Sequence, residues 1–174
     1  MTLPNQSESH HGVLMNLSGE GVFFIGQAGI GKSSLALELL HQGHQLIADD
    51  IVEFSTNNDS TITGKCPTLL SGLLHCRELG LMTVQELFGP SSWQAQTNLK
   101  YVIHLQKDVV FTSTITPKND THTICNESFA KLVLDIETPA SLSHRIMTWL
   151  TLQTTNNHAE TTLLQRQKYQ MLMS

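Results

Sequence analysis

An apolar run that halts at a glycine-rich turn and resumes as a leucine-rich segment constrains this chain most: "GVFFIGQAGIGKSSLALELL", from Gly21 to Leu40. The pattern Gly-x-x-x-x-Gly-Lys-Ser is met from Gly26 to Ser33 without a gap. Its mechanics use every part. Glycines let backbone N–H groups converge on phosphate oxygens, Lys32 neutralises the outer phosphates, and the Ser33 hydroxyl is a ligand for Mg²⁺. The start of the following helix adds a partial positive charge. Gly26, Gln27, Ala28, Gly29, Ile30, Gly31, Lys32, Ser33 and Ser34 are therefore the predicted contacts to a nucleotide's phosphates.

The flanks support a strand–loop–helix reading. "HGVLMNLSGEGVFFIG" predicts a β-hairpin turning at Ser18 to Gly21, and "KSSLALELLHQGH" a helix ended by Gly43. "HQLIADDIVEFS" reads as one strand, and "NNDSTITGKCP" as a turn and a short paired strand. "TLLSGLLHCRELGLMTVQELFG" reads as helix or loop in pieces, broken at Gly72 and Gly80. "LKYVIHLQ" and "KLVLDI" are further strands, with a polar, Thr-rich connection from Lys107 to Asn126 between them. "SLSHRIMTWLTLQ" is a helix that should break around Thr154 to Asn157, and a partly helical polar tail follows. Residues 1–9 are polar and expected to be loose, and one domain is expected over 10–152, with a polar segment over 153–174.

Asp49 and Asp50 close the apolar run "QLIA". Adjacent side chains on a strand point to opposite faces, so one carboxylate can meet a metal or an attacking hydroxyl while the other is turned away, unless the backbone bends there. Beside a phosphate loop, at least one should serve Mg²⁺. His11 is one of nine histidines, and by itself it reads equally as a surface or hydrogen-bonding residue. A charge of −5 with 14% charged residues excludes a surface that coats nucleic acid. Three irregularly spaced cysteines, Cys66, Cys76 and Cys125, form no zinc pair or closed disulfide set. No apolar run reaches membrane-span length, and a reducing cytoplasm is the expected location.

"HGVL" at His11, "GQAGIGKSSLALELL" at Gly26, "GHQLIADD" at Gly43 and "HCRELGLMTV" at His75 together resemble, in order and spacing, the C-terminal catalytic domain of bacterial HPr kinase/phosphorylase. The resemblance covers His11 to about Leu152. It implies an α/β fold with a phosphate-loop core akin to phosphoenolpyruvate carboxykinase: a mixed sheet with flanking helices, usually assembled as a hexamer. It implies ATP-dependent phosphorylation of a serine of HPr, the phosphocarrier of the sugar phosphotransferase system, and its reversal by phosphorolysis. ATP, Mg²⁺ and phosphate or pyrophosphate are the implied ligands. By resemblance Asp49 is the proton acceptor, Asp50 and Ser33 hold the metal, Lys32 grips the β- and γ-phosphates, and His11 sits near the reacting phosphate.

The chain departs from that pattern in places. Ala28 and Ser34 replace a serine and an acidic residue of the loop, His75 replaces a carboxylate associated with metal binding, and Glu78 replaces a glycine. Ala140 stands where the family usually has an arginine, with "LVLDIETPASL" set against the family's strand and following loop. The alternative reading is therefore a degenerate, nucleotide- or phosphate-holding regulator. A small-molecule kinase is disfavoured, because Arg77, Arg145 and Arg166 are too few arginines for a cationic lid.

Overall fold

The computed structural model describes residues 6–111 and 119–173. These divide into two compact units, the first from 6–109 with 119–139, the second from 110–111 with 140–173.

The first unit is built on a nine-stranded mixed sheet. In chain order its elements are β1 (Ser7–His11), β2 (Val13–Leu17), β3 (Glu20–Ile25), α1 (Lys32–His41), β4 (Gln45–Ala48), β5 (Ile51–Thr56), β6 (Ile62–Lys65), β7 (Leu73–Cys76), β8 (Gly80–Thr83), α2 (Val84–Phe88), β9 (Gln96–Gln106), β10 (Asp120–Ile124) and β11 (Glu127–Asp135). The sheet order is β1-β5-β6-β9-β3-β2-β4, with β11 also pairing β9 and β10 pairing β11; β7 and β8 form a separate hairpin. β9 organises the sheet. Its first residues pair antiparallel with β6, and further along it runs parallel to both β3 and β11. This is the α/β mixed sheet that the motif order implies.

The predicted hairpin is β2–β3, with Leu14 opposite Phe23. Phe23 and Phe54 meet edge to face at 5.0 Å in the core between the strands. Each such fully buried ring contributes on the order of 2–3 kcal/mol. Helix α1 buries Leu35, Ala36, Leu39 and Leu40. It stops in a Schellman motif, in which Gly43 N–H reaches the Leu40 carbonyl at 3.0 Å and His44 N–H the Leu39 carbonyl at 3.1 Å. Gly43 takes the required positive φ of 87°.

Four expectations are corrected. The supposed loose start is strand β1 from Ser7 onward; residues 1–5 lie outside the described residues. "SESHH" hides this because only alternate residues are partly buried and the strand lies at an edge of the sheet. "HQLIADDIVEFS" is two strands, β4 and β5, separated by a corner at Asp49–Asp50 where Asp50 adopts φ 73°. "LLHC" and "GLMT" are the β7–β8 hairpin rather than helical pieces, with Leu79 N–H closing the turn onto the Cys76 carbonyl at 3.1 Å. The polar stretch before Asn126 holds strand β10 paired to β11; its residues 112–118 lie outside the described residues.

In the second unit, α3 (Leu142–Thr154) is capped by Ser141, whose hydroxyl accepts the His144 N–H at 3.3 Å, and it buries Ile146 and Leu150. The expected break follows Thr154, and α4 (Ala159–Met173) has no buried residue. Among the described residues no helix is long and apolar enough to cross a membrane.

Gly12 fixes the approach of β1 to β3. Its N–H donates to the Asp50 carbonyl at 3.0 Å, and a Cβ there would overlap the Phe23 ring and lie 2.5 Å from the Phe24 carbonyl oxygen. Gly12→Ala should therefore destabilise the protein by about 1–3 kcal/mol, read as a lowered urea midpoint with unchanged slope. An unchanged midpoint would show that β1 is free to move away.

Candidate active site at the phosphate loop

Strand β3 delivers the chain to Gly26 and helix α1 starts at Lys32, so residues 26–31 bridge a strand end and a helix N-terminus. Gly26 has φ 147°, and a Cβ on it would press to 2.6 Å from the Leu105 carbonyl oxygen. The loop can therefore close onto β9 only with glycine at this position. Gly31 precedes the helix with φ 109° and no side chain caps α1. The N–H groups of its first turn are thus left for an anion.

Lys32 folds back over the loop, donating from Nζ to the carbonyls of Gly26 at 2.8 Å and Gln27 at 3.0 Å. Burial pushes its ammonium below the usual lysine range, while Asp49 and Asp50 pull it back up. The cation therefore stays beside the loop it would neutralise.

The corner between β4 and β5 sorts the two carboxylates. Asp49 is buried, 8% exposed. Its Oδ1 accepts from Ser33 Oγ at 2.9 Å, and its Oδ2 accepts from the backbone N–H of His75 at 2.9 Å. Asp50 faces outward with 74% of its side chain exposed, 3.6 Å from Nδ1 of an equally open His11. Such an exposed pair contributes little stability. The resemblance implies a metal shared by Ser33 and Asp50; in the structure the Ser33 hydroxyl donates to Asp49, and the left-handed turn at Asp50 points the second carboxylate outward.

Gly31, Lys32, Ser33, Asp49 and Asp50 border one cavity of about 530 Å³, whose wall also includes Ala28, Gly29, Ser34, His75, Arg77 and Glu78; His11 and Gly26 lie outside that wall. Gln27 and Ile30 belong to the loop but not to that wall; Ile30 is buried, and its N–H closes onto the Gln27 carbonyl at 3.2 Å. Three contributors on the β7–β8 hairpin lie in the motif "HCRELGLMTV" but received no site role from the sequence. His75 holds Asp49 through its backbone. Cys76 donates its thiol to the Ser33 carbonyl at 3.5 Å, and burial, with help from Asp49 and Glu78, pushes that thiol up and leaves it unreactive. Arg77 lies over the loop, its guanidinium 3.0 Å from where a Gly29 Cβ would stand. The signal was the alternation of Leu74 and Cys76 against His75 and Arg77, which a helix or loop reading hides.

Among the described residues no three Asp, Glu, His or Cys side chains converge into a metal cage. Ser33 and Asp49 do form an oxygen pair at the helix start. That donor set suits a small hard cation, which typically takes one or two protein oxygens and completes its shell from phosphates and water.

A family model described as the HPr serine kinase C-terminal domain matches residues 4–167. The chain belongs to this family. In the family's terms, the chain is 43% identical over 101 residues to an HPr kinase/phosphorylase of Nitrosomonas europaea and 47% identical over 95 residues to one of Bordetella avium. These matches take in 58% and 55% of this chain and 31% of each relative. The chain thus spans about a third of the length of these curated relatives. The structure of the HPr(Ser) kinase/phosphatase from Coxiella burnetii superposes with a TM-score of 0.77 at 25% identity, covering 95% of this chain and 96% of that one. The fold is therefore of the HPr kinase type, as the resemblance implies.

Lys32→Ala should weaken nucleotide binding by more than tenfold, because a cation–phosphate contact contributes about 1.5–3 kcal/mol. Calorimetry with ATP measures this. An unchanged affinity in a folded variant would reject the cradle.

Proposed function

We propose that this chain is a phosphoryl-transfer module that moves phosphate between ATP and a serine of HPr or a related phosphocarrier protein, and returns it by phosphorolysis. The observation that carries this reading is the division of labour between two adjacent aspartates around one phosphate loop: Asp49 is buried on Ser33, and Asp50 is exposed beside His11.

Phosphoryl transfer depends chiefly on positioning and on neutralising the charge of the migrating group. The first-turn N–H groups of α1 and Lys32 hold the phosphates, and Ser33 with Asp49 would hold Mg²⁺. When bound, that ion supplies charge neutralisation at the phosphate oxygens. Asp50, open to an incoming protein, takes the proton from the serine hydroxyl and gives it back in the reverse direction, with His11 holding the carboxylate in place. This exchanges the roles that the resemblance assigns to Asp49 and Asp50. The physical reason is that Asp49 has both oxygens engaged below the surface, whereas a protein serine can reach Asp50. HPr as partner, self-assembly of the chain and a cytoplasmic setting accompany the reading by family likeness.

A second reading, a regulator that holds nucleotide without turnover, is favoured by Glu78, whose side chain adds negative charge to the wall of a phosphate cavity. Single-turnover transfer from γ-labelled ATP to HPr separates the two. The wild type should label HPr. Asp50→Asn should keep Mg²⁺-nucleotide affinity within a few-fold while losing at least roughly 10²-fold in transfer, and Asp49→Asn should instead weaken Mg²⁺-nucleotide binding about tenfold or more. Tight nucleotide binding without any labelling by the wild type would favour the regulator.

A further inference from the structure

His75 reaches the cavity from the element that holds Asp49 in place. Its backbone nitrogen lies 2.9 Å from Asp49 Oδ2, so its Cα, one N–Cα bond further, is within roughly 4.4 Å of that oxygen. On β7 the side chains alternate: Leu74 and Cys76 are buried, while His75 is exposed and contributes to the cavity wall together with its cross-strand partner Leu81. Among the described residues the His75 ring has no hydrogen-bond or ion-pair partner, in contrast to the fully engaged Asp49. An imidazole is long enough to bring a ring nitrogen to the space next to the Ser33–Asp49 pair.

On the reading given under Proposed function, that space is where the cation sits. We infer that His75 offers a nitrogen donor to this cation, and that the site consequently favours a borderline transition cation of the Co²⁺ or Zn²⁺ kind over Mg²⁺ more than an all-oxygen site does. Two physical effects act in the same direction. Imidazole binds transition cations well and Mg²⁺ poorly, since Mg²⁺ demands oxygen and gives up its water reluctantly. A ring must also be neutral to ligate, so it brings no negative charge to offset the double charge of a hard ion, for which charge is most of the attraction. The buried thiol of Cys76 is committed to the Ser33 carbonyl and does not compete.

The competing role for His75 is a hydrogen bond to the phosphate itself, which would leave metal preference unchanged. Pulsed electron paramagnetic resonance of Mn²⁺ bound with β,γ-methylene ATP distinguishes the two. The wild type should show coupling to a directly bound ¹⁴N that His75→Gln lacks; the variant keeps the backbone donor to Asp49 and so the local fold. In parallel, calorimetry of the same nucleotide with Mg²⁺ or Co²⁺ gives the preference as a ratio of dissociation constants. His75→Glu should tighten the Mg²⁺ complex and lower the Co²⁺ preference about tenfold. Identical spectra in wild type and His75→Gln, with a preference unchanged in His75→Glu, would overturn the inference and leave the proposed function standing. Nucleotide binding that depends on no cation in any variant would overturn both.

Discussion

The Asp49 carboxylate spans two hydrogen bonds on which the rest of the site depends. One ties the corner after β4 to Ser33 in the first turn of α1; the other ties it to the backbone of the β7–β8 hairpin. A carboxylate this deeply buried is tolerated because both oxygens are satisfied, and among the described residues no buried side-chain nitrogen or oxygen is left without a partner. Removing either donor would leave charge in a poorly solvated place, which is why the corner, the helix and the hairpin must be in register together.

The sheet supplies the rigidity behind this node. β9 runs beside β3 and β11, so the strand that enters the phosphate loop is fixed on both edges, by β9 and by β2. The Leu105 carbonyl against Gly26 transfers that rigidity to the loop itself. Asp50 and His11, in contrast, lie exposed just before β5 and at the end of β1. A fixed loop beside an open pair of side chains suits the proposed transfer, in which one substrate would be a small nucleotide and the other a folded protein.

The phosphate loop was legible because glycine spacing, the lysine–serine pair and the change from strand to helix pattern all coincide within a few residues. The Asp corner was not, since "LIADDIV" keeps its apolar residues on both sides and nothing in its composition marks the left-handed conformation at Asp50. The hairpin failed for a related reason. Its leucines are dense enough to suggest a helix, and the turn at Cys76 to Gly80 carries Arg77 and Glu78 where turn-forming residues would have signalled it. β1 and β10 are polar strands whose pairing comes from tertiary context rather than from hydrophobic alternation. The roles proposed for Asp49 and Asp50 rest on which way one backbone turn points, and periodicity does not encode that.

Amide hydrogen exchange of His75 reads this node directly, because that N–H is the hairpin's bond to Asp49. Exchange should be slow in the wild type and, in Asp49→Ala, fast across residues 73–83 while the β3–β9 ladder stays protected. Protection of His75 unchanged by the loss of the carboxylate would show that the hairpin is held in place by something other than Asp49.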